Sequence, residues 1–227
     1  MTVTLISGAN KGLGFETAKQ LVERGHTVYL GSRDADRGEA AAAEVGGRFV
    51  QLDVTDDASV EAALGTIATA EGGLDVLVNN AGISTTGVSG PEATSVYDTN
   101  VVGVIRVTEA ALPLLELSEN PVVVNVSSAL GSFWAVTNPQ RRQFHFPSIV
   151  YGSSKAAVSM LTVQYAKTYP AIKFNAVEPG FTATDLTPFS GAGQPVAEGA
   201  KVIVRLATIG KDGPSGTFQE GDAELGW

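Results

Sequence analysis

Six short runs of apolar, mostly β-branched residues recur along the chain: Val3–Ile6, Thr27–Leu30, Phe49–Leu52, Leu74–Val78, Val122–Val126 and Phe174–Val177. A strand with one face in water alternates apolar and polar residues. These runs do not alternate, so each predicts a strand buried on both faces, the condition of a parallel sheet covered by helices. Longer segments separate them: Gly12–Arg24, Ala35–Val45, Ala58–Glu71, Pro91–Glu116 and Ser148–Tyr169. Each is long enough for a helix that returns the chain to the start of the next parallel strand. A further helix is expected over Ala197–Ala207 and a last short strand over Thr217–Gln219. The alternation predicts an α/β fold, a doubly wound parallel sheet with helices on both faces and right-handed crossovers. No internal repeat or long Gly/Ser linker interrupts it, so residues 1–227 read as one domain.

Composition narrows the function classes. Hydrophobic residues make up 44% of the chain, enough for a full core, and disorder is excluded. Fifteen basic against 24 acidic residues give a formal charge of −9, which argues against nucleic-acid backbones and anionic membranes as partners. With no cysteine there is no disulfide, thiol nucleophile or thiolate metal site, and two histidines, His26 and His145, cannot build a His-rich one. No apolar run approaches a membrane span. The first residues lack a basic start and a long apolar stretch, so no signal peptide is read and a cytoplasmic location is expected.

The first predicted strand is followed by Ser7-Gly8-Ala9-Asn10-Lys11-Gly12-Leu13-Gly14, with a helix opening near Gly12. Gly8 permits a tight turn, Gly12 admits a pyrophosphate to the backbone, and Gly14 lets the helix pack against the strand. Helix N–H groups and the helix dipole then attract the anion. A ligand-free βα turn is the plain alternative; the position after a first strand favours a Rossmann-type nucleotide loop. The second strand leads into Ser32-Arg33-Asp34, followed by Arg37. A 2′-phosphate on the nucleotide ribose needs cations there, whereas a carboxylate suits free ribose hydroxyls. Arg33, Arg37 and Lys11 supply the cations, Asp34 is the competing carboxylate, and solvated surface charge is the plain alternative. Asp53-Val54 follows the third strand, where Asp53 reads either as a base contact or as a helix cap; Asp56 is the better cap.

Further along come Asn79-Asn80-Ala81-Gly82, Asn100 within a helical segment, Ser127-Ser128 after a buried strand, Tyr151-Gly152-Ser153-Ser154-Lys155, and Pro179-Gly180-Phe181-Thr182-Ala183-Thr184. Tyr151 and Lys155 share one helix face. A phenol of pKa about 10 is a poor acid–base group at neutral pH, and a nearby ammonium lowers that value. Each motif alone has a plain reading as turn, cap or surface pair.

In this order they resemble the short-chain dehydrogenase/reductase family, and within it the carbonyl-reductase-like branch, over nearly the whole chain. The family's loop is T-G-x-x-x-G-x-G, with Ser7 here in place of the threonine. The resemblance implies a catalytic set of Asn100, Ser128, Tyr151 and Lys155. Ser128 orients the substrate oxygen, Tyr151 is the acid–base, Lys155 tunes it and binds ribose, and Asn100 holds a proton-relay water. It implies cofactor contacts from Gly8, Asn10, Lys11, Gly12, Leu13, Gly14, Arg33, Arg37, Asp53, Val54, Asn80, Ala81, Gly82, Pro179, Gly180, Thr182 and Thr184, with NADP as cofactor, NAD as the alternative, and no metal. Asn79–Gly82 would tie the central strands together.

The expected activity is NADPH-dependent hydride transfer to a ketone, aldehyde or quinone. The competing readings are a catalytically silent NADP sensor and a dehydratase or epimerase with bound NADP. Loops at 137–147 and 182–195 are the expected substrate elements, with Phe144, Phe146, Phe181 and Phe189 read as pocket or core. Ser128 and Tyr151 are further apart than is usual in the family. The excess is the 137–147 insertion, which goes with a monomer or dimer rather than a tetramer. Gly213–Trp227, acidic at its end, reads as a solvated tail or edge cover.

Overall fold

The computed structural model describes residues 1–186 and 193–227. Parallel strands β1 (Val3–Ser7), β2 (Thr27–Ser32), β3 (Arg48–Gln51), β4 (Val76–Asn79), β5 (Val122–Val126), β6 (Lys173–Glu178) and β7 (Thr217–Glu220) form one sheet. A two-residue antiparallel strand, β8 (Ala223–Glu224), closes one edge. The order is β3-β2-β1-β4-β5-β6-β7-β8. The order reverses next to β1, and the carboxyl ends of β1 and β4 open the crevice where such sheets take ligands.

Successive residues of each central strand enter opposite layers, which is why the runs are apolar throughout. Leu5, Leu77, Val123 and Phe174 pack on one face, under α3 (Asp57–Glu71), α5 (Gly103–Leu115) and α7 (Ile149–Thr168), with the short α6 (Phe133–Thr137) between the last two in the chain. Ile6, Val78, Val124 and Val177 pack on the other, under α1 (Gly12–Val22), α2 (Ala35–Val45) and α8 (Val196–Ala207). Local signals fix the helix starts. Asp34 caps α2, Asp56 caps α3 by accepting the Ala58 N–H at 2.9 Å, and Ser89 and Glu92 form a capping box on α4 (Gly90–Tyr97).

One expectation is corrected. The single helix expected over Pro91–Glu116 is α4 and α5 joined by a π-turn, Asp98–Val102, with Asn100 at its centre. A π-turn widens the coil by one residue, and such turns recur at functional sites. Of the two readings of the acidic end, solvated tail or edge cover, the structure takes the second. Leu225 is buried, and the Trp227 ring lies 5.4 Å from that of Phe218. Apolar burial outweighs the local charge, and β8 covers the sheet edge.

Candidate active site

The glycine loop and the Asn79–Gly82 turn are built as one object. The Ser7 hydroxyl accepts the N–H groups of Asn80 and Ala81, each at 3.1 Å. The Asn80 amide donates to the carbonyls of Ser7 and Gly8 at 2.9 and 3.0 Å. Gly8 turns with φ +65, and a Cβ on Gly14 would stand 2.6 Å from the Gly8 carbonyl oxygen, so any side chain there would separate α1 from the strand. Asn79 reaches sideways to Asn125 at 2.8 Å, and Asn125 to Thr162 at 2.9 Å, which ties β4 to β5 and α7. Buried amides of this kind are stable only when partnered, as these are. Gly82 lies between the Asn100 side chain and the Lys155 ammonium.

Lys11 precedes α1 in extended backbone and offers no side-chain cap, which leaves the first N–H groups of the helix facing the crevice. Asn10, Lys11 and Arg37 line one cavity of about 330 Å³ between α1 and α2, while the Leu13 side chain packs into the core layer. Asp34 is occupied as a cap: its carboxylate accepts the Arg37 N–H at 3.1 Å and pairs with the Arg37 guanidinium at 3.2 Å. Arg33 is exposed at the end of β2. Lys11 differs from expectation, since its ammonium meets the Asp185 carboxylate at 2.6 Å across the crevice. Asp53 accepts the Thr55 N–H at 2.9 Å, and these Thr55 bonds, with the charge of Arg33 behind them, hold its carboxyl below the usual range. Val54 is buried against Gly103.

The second cluster stands at the ends of β5 and β6. The serine pair divides cleanly. Ser127 is structural, its hydroxyl donating to the Lys155 carbonyl at 3.0 Å and meeting Ser159 at 2.9 Å. Ser128 accepts the Leu130 N–H at 3.2 Å, and its hydroxyl neighbours both the Tyr151 phenol and the Glu178 carboxyl, lowering the pKa of each by hydrogen bonding. Lys155 is 4% exposed; its ammonium donates to the Val126 carbonyl at 2.7 Å and lies 5.7 Å from the centre of the Tyr151 ring. Burial pulls Lys155 down to about 8, against the opposing charge of Glu178.

Tyr151 reverses an expectation. The ammonium was expected to lower the phenol; instead burial, followed by the negative charge of Glu178, pushes it well above its ordinary value. The lysine is bonded to the Val126 backbone and faces the ring, so desolvation dominates. Asn100 is buried, which removes its reading as a surface residue. Its side chain accepts the Ile83 N–H at 2.8 Å and donates to the Ser154 hydroxyl at 3.0 Å rather than to Lys155.

The β6 loop completes the crevice. Gly180 turns with φ +81 after Pro179, and Thr182 donates to the Gly180 carbonyl at 3.0 Å. Thr184 approaches Gly12 of the glycine loop. The base of the 182–195 loop is closed by Gln194, whose N–H donates to the Phe181 carbonyl at 2.8 Å and whose amide donates to the Pro179 carbonyl at 2.5 Å. Phe181 carries the Arg142 guanidinium over its ring at 5.2 Å. Phe144 and Phe146 are exposed, so neither belongs to the core; Phe189 lies outside the described residues. The 137–147 insertion is anchored through Arg141, one of whose terminal nitrogens donates to both Glu220 carboxylate oxygens at 2.6 and 2.7 Å. Sequence reasoning passed over Glu178, Asp185 and Gln194. Only Glu178 carried a signal, a lone acid at the end of an otherwise apolar run.

Comparisons with known proteins agree with this geometry. The family described as short chain dehydrogenase matches residues 2–195. The chain is 34% identical to (-)-isopiperitenone reductase of Mentha piperita, over 97% of this chain and 96% of that protein. Salutaridine reductase of Papaver somniferum superposes with a TM-score of 0.84 at 30% identity, covering 98% of this chain and 100% of that one. NADPH-bound carbonyl reductase from chicken fatty liver superposes with a TM-score of 0.86 at 25% identity, each chain covered in full at 100%. The chain belongs to the short-chain dehydrogenase/reductase family of oxidoreductases.

Proposed function

We propose that the protein is an NADPH-dependent carbonyl reductase in which Tyr151 is the proton donor. The observation that carries this reading is the meeting of Ser128, Tyr151 and Lys155 beside the Gly180 loop, with the phenol held protonated. The relatives point the same way, since several are named as reductases and one neighbour is described with NADPH bound.

The residues fit the cofactor. Gly12 leaves no side chain over the start of α1, so a pyrophosphate can reach its N–H groups, while Gly8 and Gly14 let the loop and helix close on Ala81 and Asn80. With Asp34 committed to capping α2, the carboxylate that would repel a 2′-phosphate is withdrawn; Arg37 and Lys11 line the cavity beside it, and Arg33 is exposed at the end of β2. The Lys11–Asp185 pair is exposed, and such pairs contribute little, so a phosphate can displace it. Asp53, Val54, Asn80, Ala81 and Gly82 would flank the adenosine and ribose, and Lys155, Pro179, Gly180, Thr182 and Thr184 the nicotinamide end. The bound nicotinamide supplies a hydride to the carbonyl carbon.

The protein's own residues handle the oxygen. A carbonyl oxygen set between the Ser128 and Tyr151 hydroxyls accepts from both, which polarises it and fixes its face. As the oxygen gains charge, Tyr151 passes it a proton. An alkoxide is about as basic as hydroxide, the conjugate base of water at about 15.7, so the transfer is downhill even from a raised phenol. The reverse reaction needs a phenolate first, which burial and Glu178 oppose. Lys155 places a positive charge under the ring and stabilises the phenolate left behind.

The substrate is a small carbonyl compound or the corresponding alcohol. The anchored insertion beside α7 goes with a monomer or dimer, and the absence of cysteine with a reducing cytoplasm. Among the described residues no helix is long and apolar enough to cross a membrane. The test is oxidation of NADPH and of NADH against a panel of aldehydes, ketones and quinones. Reduction with NADPH preferred is expected; a protein that binds nucleotide yet oxidises neither cofactor with any of them is a sensor. In the same assay Arg33→Ala is expected to lower the NADPH-to-NADH ratio of kcat/KM roughly ten-fold or more, the size of one charge-assisted hydrogen bond. An unchanged ratio rejects the phosphate assignment.

A further inference from the structure

The buried acid at the end of β6 enters the mechanism above only as a charge that opposes the phenolate. Glu178 is 6% exposed, and its registered partner on β7 is Glu220. One carboxyl oxygen accepts the Ala129 N–H and the other accepts the Gly180 N–H at 2.7 Å. The Ser128 hydroxyl lies beside this carboxyl. The carboxyl therefore joins the turn that carries the catalytic serine to the loop that would hold the nicotinamide. We propose that Glu178 is a positioning residue that sets the direction of the Ser128 hydroxyl, and that reduction runs fastest when this carboxyl is protonated. The proposal rests on the reading of Ser128 and Tyr151 given above.

The reason is the single proton on a serine hydroxyl. An ionised Glu178 is an acceptor only, so it draws the Ser128 proton toward itself and away from a substrate oxygen. A protonated Glu178 donates to the Ser128 oxygen, and the serine proton is then free to point at the substrate. Tyr151 and Lys155 face the carboxyl from α7, and Glu220 faces it from β7, itself paired with Arg141 of the insertion. Burial and Glu220 raise Glu178 above the usual carboxylate range, while the two backbone N–H groups and Ser128 pull the other way. The protonated form is thus populated closer to neutral pH than for an ordinary glutamate.

The experiment is the pH profile of kcat for carbonyl reduction at saturating NADPH, in the unmodified protein, Glu178→Gln and Glu178→Ala. The unmodified protein is expected to lose roughly ten-fold in kcat as pH rises through one ionisation above the ordinary carboxylate range. That loss is a part of what one oxyanion donor supplies, because Tyr151 still donates. Glu178→Gln cannot ionise, so it should lose that limb; its amide nitrogen cannot accept the backbone N–H that one carboxyl oxygen takes, so its pH-independent kcat should lie about three-fold to ten-fold below the unmodified maximum. Glu178→Ala should lower kcat about ten-fold and, because it releases the Gly180 N–H, weaken NADPH binding as well, so kcat is read at saturating NADPH. A profile of the unmodified protein without the limb overturns the proposal and needs no variant to fold. So does a limb that persists in Glu178→Gln, or an unchanged kcat in Glu178→Ala. Failure of the underlying reading shows separately, as turnover retained by Tyr151→Phe.

Discussion

Tyr151→Phe is expected to lower kcat for carbonyl reduction by roughly 10³-fold, within the 10²–10⁴ that a positioned proton donor contributes. The argument is specific to the phenol. The variant keeps the ring and its packing over Lys155 and removes only the hydroxyl. Ser128 remains to orient the carbonyl, but its hydroxyl is the weaker acid and its proton is shared with Glu178 and Tyr151. Among the described residues neither other group beside the phenol takes its place, because Lys155 points to the Val126 carbonyl and Asn100 is consumed by Ile83 and Ser154. Loss of one hydroxyl and a hydrogen bond costs about 1 kcal/mol, so the melting temperature should move by only a few degrees. The measurement is single-turnover reduction beside a direct titration of NADPH binding. Binding should be retained while the chemical step slows. A variant that turns over at the unmodified rate would assign the proton to another group and leave Tyr151 as packing.

What the sequence disclosed and what it withheld follow one physical division. Strand runs buried on two faces announce themselves residue by residue, so β1, β2, β4, β5 and β6 fall where the apolar runs predict. Capping is equally local. Asp56 was readable as a cap because its side chain bonds the backbone two residues on. Asp34 was not, because whether it turns to its own helix or to a ribose depends on a rotamer that the sequence does not encode. The spacing of Tyr151 and Lys155 gives a shared helix face, yet the balance that raises the phenol comes from burial and from Glu178 on another element. Lys11 reads as a cofactor cation, and its contact with Asp185 joins residues 174 apart in sequence. The π-turn around Asn100 shifts helical phase by a single residue, too little to disturb the apolar pattern of Pro91–Glu116. Local rules carried the scaffold and the list of groups. Their charges and partners were set by contacts between distant segments.

Gly131→Ala is expected to destabilise the fold by about 2–4 kcal/mol and to lower kcat about 100-fold in the molecules that remain folded. Gly131 closes the single turn after Ser128, and that turn lies directly on α7. A Cβ there would stand 2.4 Å from the Lys155 carbonyl carbon and 2.5 Å from the Ala156 nitrogen. Both are backbone atoms of a helix held at its start by the Ser148 cap and at Ser159 by Ser127, so neither can yield as a side-chain tip could. The turn must lift instead. Lifting it moves Ser128 relative to Tyr151 and Lys155, which sit on the other side of the same contact, and displacements near 1 Å at a reacting centre cost about two orders of magnitude. Gly65→Ala is the contrasting variant. Gly65 lies inside α3 with no atom within 4 Å of its added Cβ, so the change should stabilise by about 0.5–1 kcal/mol and leave kcat unaltered. Denaturant unfolding and kcat measured on both proteins separate the two effects. If Gly131→Ala unfolds at the same midpoint as the unmodified protein, the turn and α7 are not in contact as described. If it is destabilised yet catalyses at the unmodified rate, the position of Ser128 does not limit the reaction.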